Sequence, residues 1–189
     1  MALPKLITSK GMDVKKGWFD MSSLDYSAKM DATVTSVVSA GSVVHLTSSG
    51  DFTPGASNTQ PAIILIQGTD DPDVANPGGA GLDRSQFLHV PVAPTGKMSG
   101  LVATGGYEIA STAFDAAQTY APGDLLTAGN DGQLTNQAAV QFVNPIVGVV
   151  SSGLRGMAIA NANETDEVLN HNGMAALSFW SVWLPGAAS

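Results

Sequence analysis

Residues 120–151 read YAPGDLLTAGNDGQLTNQAAVQFVNPIVGVVS, and this stretch decides the fold class. Residues 124–128 (DLLTA) are short, apolar and β-compatible. Asn130-Asp131-Gly132 follows, and an Asp-Gly pair between apolar runs is a strong hairpin signal, because both residues tolerate the positive φ of a tight turn. Gln133-Leu134-Thr135 then turns back. Residues 145–150 (PIVGVV) form a further strand, and Gly148 inside it marks a bulge or a close backbone approach.

The same pattern stands earlier in the chain. Gly41, Val43-Val44, Gly50, Phe52 and Thr53 match Gly123, Leu125-Leu126, Gly132, Leu134 and Thr135, and each copy continues into a Pro-led strand, at 61–67 (PAIILIQ) and 145–150. Two readings stay open: two ordinary hairpins in a β-protein, or one hairpin unit used twice, at 41–67 and 123–150. Both describe hairpins packed on a core.

The remaining chain is read outward from these hairpins. Its 189 residues suit one domain, or one domain with an arm, and suffice to bury a real core. Ala, Gly, Val, Ser and Thr dominate and only 13% of residues are charged, which favours strands and turns over helices. Residues 1–30 read as an extended N-terminal arm with aromatic anchors, and 31–189 as the β-rich body. Residues 31–38 (DATVTSVV) alternate like a strand. Residues 68–84, with two Pro, four Gly and four Asp, read as a long exposed loop. Residues 87–92 are expected to form an edge strand. Residues 98–104 and 107–110 are expected to form a hairpin about Gly105-Gly106. Ser111 is placed to cap a short helix over 111–118. Residues 153–172 read as loop. Residues 176–184 (ALSFWSVWL) form a last strand with large apolar groups on both faces, Leu177, Phe179 and Trp183 on one and Trp180, Val182 and Leu184 on the other. Such a strand is either central or part of a subunit interface.

Charge is unevenly placed. The net charge is −8. The first 30 residues hold five lysines against three aspartates, a net of +2; the rest holds three basic residues against 13 acidic ones, a net of −10. An acidic body repels nucleic acid, so no DNA or RNA partner is expected. The basic head is either a solvated terminus or a surface that steers towards an acidic protein. No secretory signal is visible, and no apolar run approaches the length of a membrane span, so no membrane partner is expected and synthesis is placed in the cytoplasm.

Catalytic patterns are weak. There is no Cys, hence no disulfide and no thiol chemistry. The three histidines, His45, His89 and His171, stand near no Gly-x-Ser-x-Gly elbow. Thr95-Gly96-Lys97-Met98-Ser99 fails as a phosphate loop, because Pro91 replaces the required Gly and Met follows the Lys. Gly78-Gly79-Ala80-Gly81 leads into no helix signal. Asp70, Asp71, Asp73 and Asp83 lack EF-hand spacing and its closing Glu, and read as solvated loop aspartates. Asn163-Glu164-Thr165 is a glycosylation triplet that matters only on secretion. No cofactor, no metal and no enzymatic activity are expected.

The strings YAPGDLLT at 120–127, DGQLT at 131–135 and PIVGVV at 145–150 resemble virion proteins of tailed bacteriophages, especially the capsid decoration, or cement, proteins. The resemblance covers about a third of the chain. It implies an all-β body, a β-sandwich or barrel of jelly-roll or β-tulip type, here with a short helix and an extended arm. It implies no catalysis, binding to the major capsid protein on the outside of the virion, and often a homotrimer. A few buried anchors carry most of the energy of such contacts. The candidates are Trp18, Phe19 and Tyr26 on the arm and Trp180 and Trp183 on the last strand. The alternatives are another virion part (head fibre base, tail tube or small shell subunit) and a carbohydrate-binding β-sandwich. A long spine helix, expected of a major capsid protein, is not found, and loop 68–84 has no aromatic for a sugar to stack on.

Overall fold

The computed structural model describes residues 12–17, 25–69, 96–137, 144–154 and 176–186. The protein is all-β: the described residues contain eleven strands in two antiparallel sheets and no helix. The first sheet holds β2 (Asp25–Ala28), β3 (Val43–Leu46), β4 (Phe52–Pro54), β5 (Ile63–Leu65) and β6 (Met98–Val102), in the order β2-β6-β5-β3-β4. The second holds β7 (Tyr107–Ser111), β8 (Leu125–Ala128), β9 (Leu134–Thr135), β10 (Ile146–Leu154) and β11 (Leu177–Leu184), in the order β7-β11-β10-β8-β9. β1 (Met12–Gly17) adds a sixth strand beside β7. Apart from β1, the two sheets have the same strand order.

The correspondence extends to individual hydrogen bonds. In the first hairpin Thr47 N donates to Asp51 O at 2.8 Å and Gly50 N to Thr47 O at 3.0 Å; 82 positions later Gly129 N donates to Gln133 O at 3.0 Å and Gly132 N to Gly129 O at 2.9 Å. Gly50 and Gly132 have φ of 84° and 81°, a left-handed conformation that costs other residues free energy. Leu65 N donates to Ser42 O at 2.9 Å, and Val150 N to Asp124 O at 2.8 Å. The strand before each hairpin also leaves in the same way. Met30 and Phe114 make parallel bridges to Phe52 and Leu134. Asp31 and Asp115 then start a turn, accepting at Oδ1 from the amides of Thr33 at 2.8 Å and Ala117 at 2.9 Å.

These turns explain two departures from the sequence reading. Residues 31–38 are not a strand and residues 111–118 are not a helix. In both places an Asp side chain captures a backbone amide two residues on, closing a local turn in place of a ladder or a helical turn. Ser111 is the last residue of β7; its hydroxyl donates to Gly41 O at 3.0 Å and accepts from Ala113 N at 3.0 Å. A third departure concerns β6 and β7, which form no hairpin. β6 pairs with β2 and β5, whereas β7 pairs with β1 and β11. Gly105 and Gly106, with φ of 92° and 86°, carry the chain from one sheet to the other. Within the first 30 residues, β1 lies in the second sheet and β2 in the first. The loop 70–84, the expected strand 87–92 and residues 155–172 lie outside the described residues.

Register assigns each side chain to a face, because directly paired residues share one. In the first sheet, Val43, Ile64 and Leu101 form one row. They enter a core cluster with Ile109, Leu126, Leu134, Val150, Leu177 and Phe179 of the second sheet. The opposite face of the first sheet carries Val44, Phe52, Ile63, Leu65 and Met98, covered by Met30, Val34 and Val38 from the turn segment. Leu177, Phe179 and Trp183 fall in the same cluster, on the face read for them from their alternation.

Tyr120 closes one end of the shared core. Its ring meets Phe114 edge-on at 5.7 Å, and its hydroxyl donates to the carbonyl oxygens of Asp115 at 2.8 Å and Leu134 at 3.2 Å. Burial pushes its pKa up to about 12, and the Asp115 carboxylate adds to the effect. The folded value lies above the ordinary ~10, so the native state keeps a proton that the unfolded state releases first. Stability is therefore level below about pH 10 and falls as the pH climbs towards 12. Titration of phenolate absorbance in the folded protein is expected to show late tyrosine ionisation that Tyr120→Phe reduces, Tyr107 supplying the rest because burial raises its pKa as well. A titration with no step above the ordinary range would contradict this placement.

Candidate functional site

Several polar side chains among the described residues brace the fold. His45 stands half-buried on β3 with Nδ1 3.0 Å from Gly55 O, where the ring nitrogen donates. A cavity of about 430 Å³ is rimmed by Asp115, Asp131, Gln133 and Thr135, and one of about 250 Å³ by Ser36, Val37, Ser42, Thr112 and Asp131. Their carboxylates cap turns: Asp131 Oδ1 accepts from Gln133 N at 3.0 Å, as Asp115 does from Ala117 N. Glu108, buried on β7, accepts from Ser151 Oγ at 2.8 Å. Among the described residues no group of three or more His, Asp or Glu is placed to hold a metal ion. Asp70, Asp71, Asp73, Asp83, His89 and His171 lie outside the described residues.

The structure also assembles an apolar row on one sheet face. Leu125 on β8 pairs with Val149 on β10, and Val149 pairs with Trp180 on β11. The three side chains therefore form one row across three adjacent strands, on the face of the second sheet turned away from the shared core. Leu125 is 45% exposed and Trp180 37% exposed. Such a row of large apolar groups at the middle of a sheet suits protein contact better than solvent.

The five anchors read from the sequence have different fates. Trp18 and Phe19 lie outside the described residues. Tyr26, on β2, is 41% exposed and leans on Phe52 with ring centroids 6.1 Å apart. Trp180 belongs to the exposed row. Trp183 packs against the core cluster instead, and its Nε1 donates to Ser57 O at 3.4 Å, joining β11 to the loop after β4. Gly186 N donates to Asn58 Oδ1 at 2.9 Å in the same junction. Leu125 and Val149 were not among the anchors, because their side-by-side placement depends on strand register. The correspondence of Leu125 with Val43 was the available signal. Compared with known proteins, the chain matches no family model, no curated sequence and no solved structure.

Proposed function

We propose that the protein is a structural component of a tailed-phage virion. In this reading it is a non-enzymatic decoration protein that binds the outside of the major capsid lattice as a homo-oligomer, a trimer being favoured, and strengthens the head. It is made in the host cytoplasm, needs no cofactor, and has neither nucleic acid nor membrane as partner. Its two sheets form a β-sandwich or barrel-like body of jelly-roll or β-tulip type.

The observation that carries the reading is the exposed Leu125–Val149–Trp180 row, a surface suited to another protein, on a body whose polar side chains cap turns. The likeness of the 120–150 unit to decoration proteins supports it. Many copies on one shell add avidity to a modest single contact. Other virion parts remain the alternative, and a sugar-binding β-sandwich is the third reading.

Cosedimentation with expanded shells that lack the protein tests this. Saturable binding at a fixed copy ratio, with shells that then withstand more heat, is the expected result. Absence of binding, together with open tubes formed by the protein alone, would overturn it in favour of a tail role.

A further inference from the structure

Val37 is the most exposed large apolar side chain among the described residues, at 66%. Its backbone is held in place. Val34 N donates to Asp31 O at 3.0 Å, Val38 N to Thr69 Oγ1 at 2.9 Å and Gly41 N to Leu65 O at 2.7 Å. Val34 and Val38 pack inwards on the first sheet. Val37 is thus held outwards by a segment fixed on both sides. The second hairpin unit has no apolar group at this place: Thr119 stands four residues before Gly123, as Val37 stands four before Gly41, and it too is exposed. A valine held out where the sister unit uses a polar residue suits a surface that is covered.

Val37 borders the cavity of about 250 Å³, together with Ser36, Ser39, Thr112, Ala113 and Asp131. The larger cavity adjoins it across Asp131 and Gln133 and brings Asp115 alongside. The two carboxylates accept from Ala117 N, Gln118 Nε2 and Gln133 N, none of them a basic group. The groove therefore joins an apolar lip at Val37 to acidic groups at Asp131 and Asp115.

The chain itself leads to this groove. β1 runs antiparallel to β7, with Asp13 opposite Ala110 and Met12 opposite Ser111. Thr112 and Ala113, the next two residues after Ser111, line the cavity, so β1 begins at its rim. Residues 1–11 (MALPKLITSKG) lie outside the described residues. They carry Lys5 and Lys10, no acidic residue, and the apolar Leu3, Leu6 and Ile7. Eleven extended residues reach up to about 36 Å, so length does not limit where they bind.

We propose that residues 1–11 dock in this groove of their own chain, with Lys10 against Asp131 and with Leu6 and Ile7 on Val37. The register of β1 carried two residues further sets Lys10 opposite Ala113, beside Asp131 on the cavity wall. An exposed ion pair contributes little, so apolar contact carries the affinity and charge sets the direction. The tether at Met12 holds the segment at an effective concentration on the order of millimolar, which favours its own groove over that of another copy. A head docked in this way is withheld from an acidic partner until it is displaced. The contact belongs to the free protein and does not rest on the virion reading.

The chain's lack of cysteine makes a spin label specific. Thr8→Cys carrying a nitroxide leaves Leu6, Ile7 and Lys10 in place. In isotope-labelled full-length protein, the amide signals of Ser36, Val37, Thr112 and Gln133 are expected to be lost, and to return when the nitroxide is reduced. Signals that survive at all four positions overturn the proposal. When spin-labelled protein without the isotope is mixed with isotope-labelled protein without the spin label, the signals are expected to persist. Their loss in that mixture would place the head on a second copy and overturn docking within one chain.

In the spin-labelled protein Val37→Asp is expected to restore the Thr112 and Gln133 signals, and so is Asp131→Lys. Adding Lys10→Glu to Asp131→Lys is expected to remove them again. Should Asp131→Lys disturb its turn, Val37→Asp and Lys10→Glu carry the test on their own, and signals that stay lost in both overturn the contact. Absence of shell binding would leave this contact standing, and failure of the head to dock would leave shell binding standing.

Discussion

Gly148→Ile is expected to destabilise the protein by about 3 kcal/mol, the upper end for overpacking a filled core. A Cβ on Gly148 would stand 2.5 Å from Phe179 Cδ2 and 3.2 Å from Trp180 O. Both obstacles belong to β11, held between β7 and β10, so neither withdraws without disturbing a central strand. The first sheet solves the same packing problem in reverse. There Ile63 occupies the position of Gly148, and Gly100 that of Phe179; a Cβ on Gly100 would stand 2.5 Å from Ile63 Cγ2. Each sheet thus places one large side chain over one glycine, on opposite strands. Phe179→Gly alone is expected to cost roughly 4 kcal/mol through the lost ring and the cavity it leaves. The double variant Gly148→Ile/Phe179→Gly recreates the arrangement of the first sheet. It is expected to fall short of the sum of the singles by about 2 kcal/mol, the coupling of side chains that compete for one space. Urea unfolding of the four proteins measures this, and strict additivity would refute it.

The twin turn glycines are expected to differ sharply when each is replaced by alanine. Gly50 and Gly132 share nearly the same positive φ, so backbone strain contributes about 1–2 kcal/mol at either site. The surroundings differ. Gly50 has open space, so Gly50→Ala is expected to cost little beyond that strain. A Cβ on Gly132 would lie 2.7 Å from Val43 O and 3.3 Å from Ser42 Cβ, in the contact between the sheets. Relief there requires the second turn to lift from the first sheet, breaking the Val43–Gly132 hydrogen bond. Gly132→Ala is therefore expected to cost about 3 kcal/mol or more, strain and overpacking combined. Denaturation midpoints measured at concentrations too low for self-association make the comparison. Equal losses at the two sites would show that the second turn is not wedged against the first sheet.

What was legible in the sequence was local. The Asp131-Gly132 turn, the apolar run at Ile63–Leu65 and the glycine inside β10 each announce themselves within a few residues, because turn chemistry and burial act on neighbours in the chain. The correspondence between 41–53 and 123–135 was visible for the same reason. Where one residue type serves two local structures, the sequence misled: Ser111 and Asp115 suit a helix start as well as a strand end followed by an Asp-capped turn. The choice fell to β-bridging, which uses Phe114 as a partner of Leu134 across 20 positions of chain.

Pairing over long separations was decided by tertiary structure alone. β6 and β7 are adjacent in sequence, yet they belong to different sheets: β6 pairs with β2 and β5, and β7 with β1 and β11. The same long-range register set Leu125, Val149 and Trp180 side by side and turned them away from the core. It also directed Trp183, read from sequence as an anchor like Trp180, inwards. An alternating apolar pattern assigns residues to two faces of a strand, but the stacking of one sheet on the other decides which face is buried between them and which keeps exposed apolar groups.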